Sequence, residues 1–465
     1  MQGTRSLEPW DRDELAFLHR PFLSARRRLR LQCALNETVR VQVPRGNGTL
    51  GVTTHSAKFA LQTATGPVEI SPGSRGRDGF PVWGFSAAVV AAGLASTWLY
   101  RYVGERYSFP LLTGTLQELP AAGDRLLRLV ERLIAAEHEL SFDEAADAMH
   151  CMLETVGEHP ARVAAFLVLL RRNGAETGQV LAGMAAALLE RAVLVSTGDL
   201  ATLDIVGTGG DGSNTVNIST AAAIVAAACG ARVAKHGNRS ASSKCGSADV
   251  LEALGVAIDL GPEQVARCIA ETGISFLMAP RFHPQLATVA PLRRSLRVRT
   301  VFNNLGPLLN PARSRYQVIG VAAPELMEPM AEAVARLGTE RSWIVHCAGL
   351  DEMAPIGATE VIEVRKDVPP CRFRVEPETL GMPLCTVEDL VGDDCAANAA
   401  TITSILQGAP GPISNAIIMN AGAGLVVYGL AETLQDACDM AANALMSGAA
   451  WETLEKWKTL SRQLQ

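Results

Sequence analysis

The stretch GTGGDGSNTVNIST, Gly207 to Thr220, places four glycines in its first six residues, followed by small amide and hydroxyl side chains. Backbone without Cβ atoms lets N–H groups approach an anion closely, and a helix starting near Ile218 adds its positive end. Asn217, Ser219 and Thr220 can donate to phosphate or hold a metal. Asp211 would repel phosphate, so it suits a sugar hydroxyl or an Mg2+ ion. The spacing is neither that of a phosphate loop ending in Gly-Lys-Ser/Thr nor that of a G-x-G-x-x-G dinucleotide turn. Taken alone, the segment is equally well read as a glycine-rich turn before a capped helix.

A second polar cluster, KHGNRSASSKCGSAD, spans Lys235 to Asp249. It offers Lys235, Arg239 and Lys244 as cations, His236 and Asn238 as polar contacts, and Ser240, Ser242, Ser243 and Ser247 as donors. It is either a solvated basic loop or a second anion site; two such loops facing one cleft would suit a ligand with two separate phosphate groups. In GLDEMAPIG, Asp351 and Glu352 are adjacent. Neighbouring carboxylates repel unless a cation sits beside them, and Mg2+ favours one or two carboxylates plus phosphate oxygens. The alternative is an acidic turn capping a helix. Arg293 and Arg294 lie on an expected helix, where a guanidinium fork suits an organic carboxylate; a solvated cationic face is the competing reading, and it describes Arg294 or Arg297 better.

The elements that must position these groups follow from periodicity. From about Asp124 the apolar spacing is helical: DRLLRLVERLIAAEHEL, then SFDEAADAMHCMLETV with Ser141 and Glu144 as a capping box, then ARVAAFLVLLRRNG closing at Gly174, then TGQVLAGMAAALLERA. After about residue 196, strands and helices alternate. TLDIV, ARVAKHG, ISFLMA, YQVIGVA and SWIVHCAG read as strands. SADVLEALG reads as a helix with Ser247 at its N-cap, and PEQVARCIAETG as one opened by Pro262 and closed by Gly273. Such alternation predicts an α/β fold: a mostly parallel central sheet covered on both faces, with ligands at the carboxyl ends of its strands. Every polar cluster falls in those loops. The expected organisation is an N-terminal extension at 1–123, a small all-helical domain at 124–195, with some later helices packing against it, and a large α/β domain at 196–465.

The first 123 residues differ in kind. They hold 14 Lys and Arg against 9 Asp and Glu, a net of +5; the rest holds 28 against 39, a net of −11. An acidic body gives no general attraction to nucleic acid. LSARRRLRLQ is arginine-rich, and residues 79–100 carry no charge. The run is long enough to cross a bilayer, but Ala, Gly, Ser and Pro81 make it only modestly apolar. The leader reads first as an organelle-targeting extension, next as a soluble appendage and last as a membrane anchor, although its early PWDRDEL is unusually acidic for a transit peptide. The ten cysteines contain no C-x-x-C pair and sit mostly in apolar surroundings, which points to a reducing compartment and away from disulfides or a zinc site.

Together DIVGTGGDGSNTVNIST, KHGNRSASSKCGSADVLEALG, HPQLATVAPLRRSLRVRTVFNNLGPLLNPAR, GLDEMAPIG and MNAGAGLVVYG resemble the anthranilate phosphoribosyltransferase family, in order and spacing, from about Asp124 to the C-terminus. CGSADVLEALGVAIDLGPE and LCTVEDL look most like plant-type members, which are plastid enzymes; cytoplasmic or mitochondrial residence are the alternatives. The resemblance implies transfer of phosphoribosyl from 5-phosphoribosyl 1-diphosphate to the amine of anthranilate in tryptophan biosynthesis, with Mg2+ and a homodimer. It places Gly207, Gly210, Asp211, Thr215, Asn217 and Thr220 on the phosphoribosyl diphosphate. Ser219 would hold one Mg2+, and Asp351 with Glu352 the second. Lys235, His236, Gly237, Asn238, Arg239, Ser240, Ala241, Ser242, Ser243 and Ser247 would form the second phosphate loop. Gly207, Asn238 and Arg293 would meet anthranilate, the arginine through its carboxylate. The chain departs at Asn304, where an apolar residue is usual, and at Lys244, where a small one is. A pyrimidine-nucleoside phosphorylase of the same fold would need only one phosphate site. A non-catalytic paralogue should have lost metal or anthranilate contacts and gained a basic face.

Overall fold

The computed structural model describes residues 121–465 apart from 137–138 and 241–243, together with five short strands nearer the N-terminus. Ala241, Ser242 and Ser243 of the second loop, and the uncharged run 79–100, lie outside the described residues. The early strands, β1 (Leu29–Gln32), β2 (Thr38–Gln42), β3 (Gly51–Thr53), β4 (Phe59–Thr63) and β5 (Gly66–Ile70), pair antiparallel as β1-β2-β3 and β4-β5. The sequence pattern had assigned no elements there.

Four helices open the main unit: α1 (Ala122–Ile134), α2 (Phe142–Thr155), α3 (Pro160–Arg172) and α4 (Gly178–Glu190). The capping box at the start of α2 is formed: the Glu144 N–H donates to Ser141 Oγ at 3.2 Å, and the Ser141 N–H donates to the Glu144 carboxylate at 2.9 Å. Gly174 follows α3 with φ +68°.

Next come β6 (Leu203–Gly207), α5 (Ile218–Ala228), β7 (Val233–Gly237), α6 (Ser247–Leu254), α7 (Pro262–Thr272) and β8 (Ile274–Met278). They are followed by α8 (Ala279–Phe282), α9 (Leu286–Leu296), α10 (Phe302–Leu305), β9 (Tyr316–Gly320), α11 (Met327–Leu337) and β10 (Arg341–His346). The chain ends with β11 (Thr359–Arg365), β12 (Val368–Val375), α12 (Cys395–Leu406), α13 (Pro412–Tyr428), α14 (Leu434–Met446) and α15 (Ala449–Leu464). The N-cap of α6 is Gly246, so Ser247 is the first helical residue and not the cap; the box is closed by the Asp249 carboxylate, which accepts from the Gly246 N–H at 3.0 Å.

The seven-stranded sheet has the order β12-β11-β10-β9-β6-β7-β8. The five strands from β10 to β8 are parallel, and β11 and β12 form an antiparallel edge. Alternate side chains enter two cores, as a two-residue period requires. Val318, Trp343, Val345 and Val361 pack with α5–α7 and α12–α15; Ile319, Ile344, Ile362 and Val364 pack with the four-helix bundle and α11. The bundle core therefore continues into Val289 of α9, Leu305 of α10 and Met330 and Val334 of α11. Helix α13 is apolar on nearly all sides because the sheet and two helices surround it. All nine described cysteines are free thiols. No helix among the described residues is long and apolar enough to cross a membrane.

Candidate functional site

The site lies at the carboxyl ends of β6, β7 and β10. The 350–352 turn after β10 seats against the end of β6, where a Cβ at Gly207 would overlap the Asp351 carboxylate. Asp351 Oδ2 accepts from the Gly209 N–H at 2.5 Å. The Asp351 carboxyl is buried, and its pKa is raised, first by burial and then by the Asp211 carboxylate facing it. Asp211 is held in place by its own loop, accepting from the Ser213 N–H at 3.2 Å.

Glu352 continues the row. One of its oxygens accepts from the Ser219 N–H at 3.3 Å, at the start of α5. Its pKa is also raised, by burial first and Asp351 next, with Lys235 opposing. Lys235 Nζ donates to Ile205 O at 2.6 Å and to Ser219 Oγ at 3.3 Å. Lys235 is only 2% exposed, so it is a core residue of β7 and not a loop cation. Burial lowers its pKa while Asp204, Glu352 and Asp351 act against that shift. Beneath it, Asp204 accepts from the His236 N–H at 3.3 Å and from Asn310 Nδ2 at 2.7 Å, and that Asn310 nitrogen also reaches Ala234 O. Asp204 and Asn310 escaped the sequence reading, although a carboxylate inside the apolar strand TLDIV was a usable signal.

The second loop divides. Asn217 Nδ2 donates to Cys245 O at 3.0 Å, tying the glycine loop to the end of the second loop, and Thr220 is buried with its hydroxyl unpaired. Thr215 bridges to Val391. Gly237 packs against Phe276 and Ser247 with no room for a side chain, and Asn238 is exposed with its Oδ1 on the Arg239 N–H. Arg239 turns away from the carboxylate row to Asp249 and Glu252, at 2.8 and 2.6 Å, and Lys244 pairs with Asp393 at 2.8 Å. Ser240 takes part in the same corner, its N–H donating to Asp249.

Arg293 on α9 is half-buried. Its guanidinium lies 5.0 Å from the Phe302 ring centroid, and no ion pair engages it among the described residues. A half-buried guanidinium over an aromatic face, with no acid paired to it, can receive a flat carboxylate. Asn304 meets Glu176 Oε2 at 2.9 Å, so the polar departure at that position is matched by the turn before α4.

His236 and His283 stack edge to face at 5.5 Å, and each donates one ring N–H to a carbonyl, His236 Nδ1 to Gly306 O and His283 Nε2 to Leu309 O. Burial, then the neighbouring ring, pushes His236 down to about 3, so it is neutral at pH 7. A folded value below the unfolded one, about 6.5, means that its contribution to stability is complete above pH 6.5 and is lost as pH falls toward 3. The slope is about 1.4 kcal/mol per pH unit. Thermal melts at pH 6.5 and 5.0 should show His236→Gln losing about 2 kcal/mol less than the parent. Parallel losses would refute the neutral assignment.

Among the described residues, no three His, Cys, Asp or Glu side chains form a closed metal cage. The donors in the row are hard oxygens, from Ser219, Asp351 and Glu352, and the two carboxylates are buried against like charge. That set fits an Mg2+ completed by substrate oxygens and does not fit a resident zinc.

Two family models match: the α/β domain of a glycosyl transferase family over residues 199–451, and its helical bundle domain over 127–192. Anthranilate phosphoribosyltransferase 2 of Streptomyces coelicolor is 49% identical over 331 residues, 70% of this chain and 97% of its own. Anthranilate phosphoribosyltransferase of Thermomicrobium roseum is 46% identical over 336 residues, 71% and 96% of the two chains. Among solved structures, the Thermus thermophilus anthranilate phosphoribosyltransferase superposes with a TM-score of 0.67 at 43% identity, covering 72% of this chain and 99% of that one. The Saccharomyces cerevisiae enzyme in complex with PRPP and Mg gives 0.68 at 29% identity, covering 73% and 99%.

Proposed function

Because the chain belongs to the anthranilate phosphoribosyltransferase family, we propose that its glycine loop, second loop and acidic turn hold magnesium and 5-phosphoribosyl 1-diphosphate while Arg293 reads anthranilate. The reaction moves phosphoribosyl to the anthranilate amine and releases diphosphate. Such an enzyme belongs to tryptophan biosynthesis. The observation that supports this division of roles best is the single row formed by Asp211, Asp351, Glu352, Ser219 and Lys235.

Ser219, Asp351 and Glu352 would hold Mg2+, which when bound offsets the charge that grows on departing diphosphate. Gly207, Gly210, Asp211, Thr215, Asn217 and Thr220 would line the phosphoribosyl diphosphate, with Gly237, Asn238 and Ser247 along the second loop. Arg239 and Lys244 would contribute by bracing that loop from outside, as their ion pairs suggest. Lys235 and Asp204 keep the carboxylates and β7 in register from below. Arg293 orients anthranilate, and Asn238 would contact it. The aromatic amine is already neutral at pH 7, so no strong base is required, and a neutral His236 is consistent with that. Most of the acceleration would come from positioning and electrostatics.

Loss of anthranilate fluorescence tests this directly. It should require the full chain, 5-phosphoribosyl 1-diphosphate and Mg2+ together; consumption of a nucleoside and phosphate instead would favour the phosphorylase reading.

We also propose that residues 1–123 target the protein to a plastid, on the strength of their arginine-rich, positively charged composition. A reporter carrying them should enter the organelle, and a diffuse cytosolic signal would defeat this. A homodimer is proposed as well: Ile134 and Val168, on helices α1 and α3 of the bundle, are large apolar side chains left exposed. Sedimentation of the full chain at the monomer mass would overturn it.

A further inference from the structure

Arg299 lies three residues beyond α9, the helix that carries Arg293, and its guanidinium reaches the glycine loop. Nη1 donates to Gly210 O at 2.8 Å and Nη2 to Gly209 O at 3.4 Å. In a trans peptide the carbonyl of one residue and the N–H of the next point in opposite directions. Capturing the carbonyls of 209 and 210 therefore aims the N–H groups of Gly210 and Asp211 away from the arginine. Neither N–H has a hydrogen-bond partner among the described residues, whereas those of the two preceding residues do: Thr208 donates to Gly320 O and Gly209 to Asp351. Successive free N–H groups in a turn of this kind form an anion-binding concavity. Gly210 has φ +76°, and a Cβ there would overlap the Arg299 guanidinium, so glycine and arginine are fitted to each other. Glu176, in the turn before α4, adds a compensating charge near Arg299.

We propose that Arg299 is a positioning residue: it clamps the glycine loop by two carbonyls so that two adjacent N–H groups face the diphosphate of the donor substrate. The proposal rests on the reading of that loop as the diphosphate cradle. Arg293 and Arg299 share one short segment, so the same stretch of chain reads anthranilate and sets the loop that holds the other substrate. Arg299 touches no reacting atom in this account.

The test uses the full chain, with magnesium diphosphate as the binding probe and both Michaelis constants as readouts. Arg299→Ala should weaken magnesium diphosphate binding and raise KM for 5-phosphoribosyl 1-diphosphate by about 10- to 100-fold, with KM for anthranilate within about threefold. Arg299→Lys, which can satisfy one carbonyl but not two, should fall between. Added methylguanidinium should recover part of the lost diphosphate affinity in the alanine variant and none in the parent. Unchanged diphosphate affinity in Arg299→Ala, or a loss that follows the melting temperature and affects both substrates equally, would overturn the clamp. If the alanine variant does not fold, the lysine variant decides between the same outcomes. Failure of the parent itself to bind magnesium diphosphate would instead bring down the cradle reading, and the clamp with it.

Discussion

Asp351→Asn is expected to lower kcat/KM by about 10²- to 10³-fold while making the substrate-free protein more stable. The two effects have one origin. Asp351 is buried beside Asp211 and Glu352, and it accepts from the Gly209 N–H of the glycine loop. Asparagine keeps an oxygen for that N–H and removes the negative charge. Without a cation the native carboxylate is a cost to the fold, of about 1–3 kcal/mol. Its raised pKa fixes the direction with pH. The protonated form is favoured in the fold, so stability is complete at low pH and declines as pH rises through the raised value. The gain in melting temperature from Asp351→Asn should therefore be larger at pH 8 than at pH 5, and Mg2+ with diphosphate should stabilise the parent more than the variant. A variant that loses activity and stability together at every pH would mean that Asp351 is simply a packing residue.

Arg293→Leu should raise KM for anthranilate by about 30- to 1000-fold, corresponding to about 2–4 kcal/mol for a bidentate, charge-assisted pair. KM for 5-phosphoribosyl 1-diphosphate should move by less than about threefold, because Arg293 stacks on Phe302 and is not part of the carboxylate row. Lysine at 293 should recover little, since it keeps the charge but loses the planar fork and its seat on the ring. Aniline, which lacks the carboxylate, supplies the control. The parent should prefer anthranilate over aniline strongly, and the leucine variant should lose most of that preference. Equal discrimination by parent and variant would remove Arg293 from the anthranilate site.

The parts of this arrangement that could be read from sequence are local. Ser141 with Glu144, Pro262 with Gly273, and the glycine loop between a β-branched strand and an alanine-rich helix each announce themselves within a few residues. The parallel sheet followed from the alternation of elements. The antiparallel edge β11-β12 was missed because TEVIEVR sets charged residues among its buried apolar ones, and VPPCRFRV is largely exposed and carries two prolines. Lys235 and Arg239 looked alike, as two cations in one basic run. Only the fold separates them: Lys235 points inward to Ile205 O, Arg239 outward to Glu252. Arg299 was not singled out beside Arg293, because its partners lie 89 and 90 residues away in the chain. Asn304 looked like a departure because Glu176, 128 residues distant, was not visible as its partner.

Calorimetric titration of 5-phosphoribosyl 1-diphosphate into the full chain, with and without Mg2+, reaches the central claim most directly. The parent should bind at least about tenfold more tightly with Mg2+, and the Asp351→Asn, Glu352→Gln double variant should bind weakly under both conditions. A double variant that binds as tightly as the parent, with the same gain from Mg2+, would contradict the account.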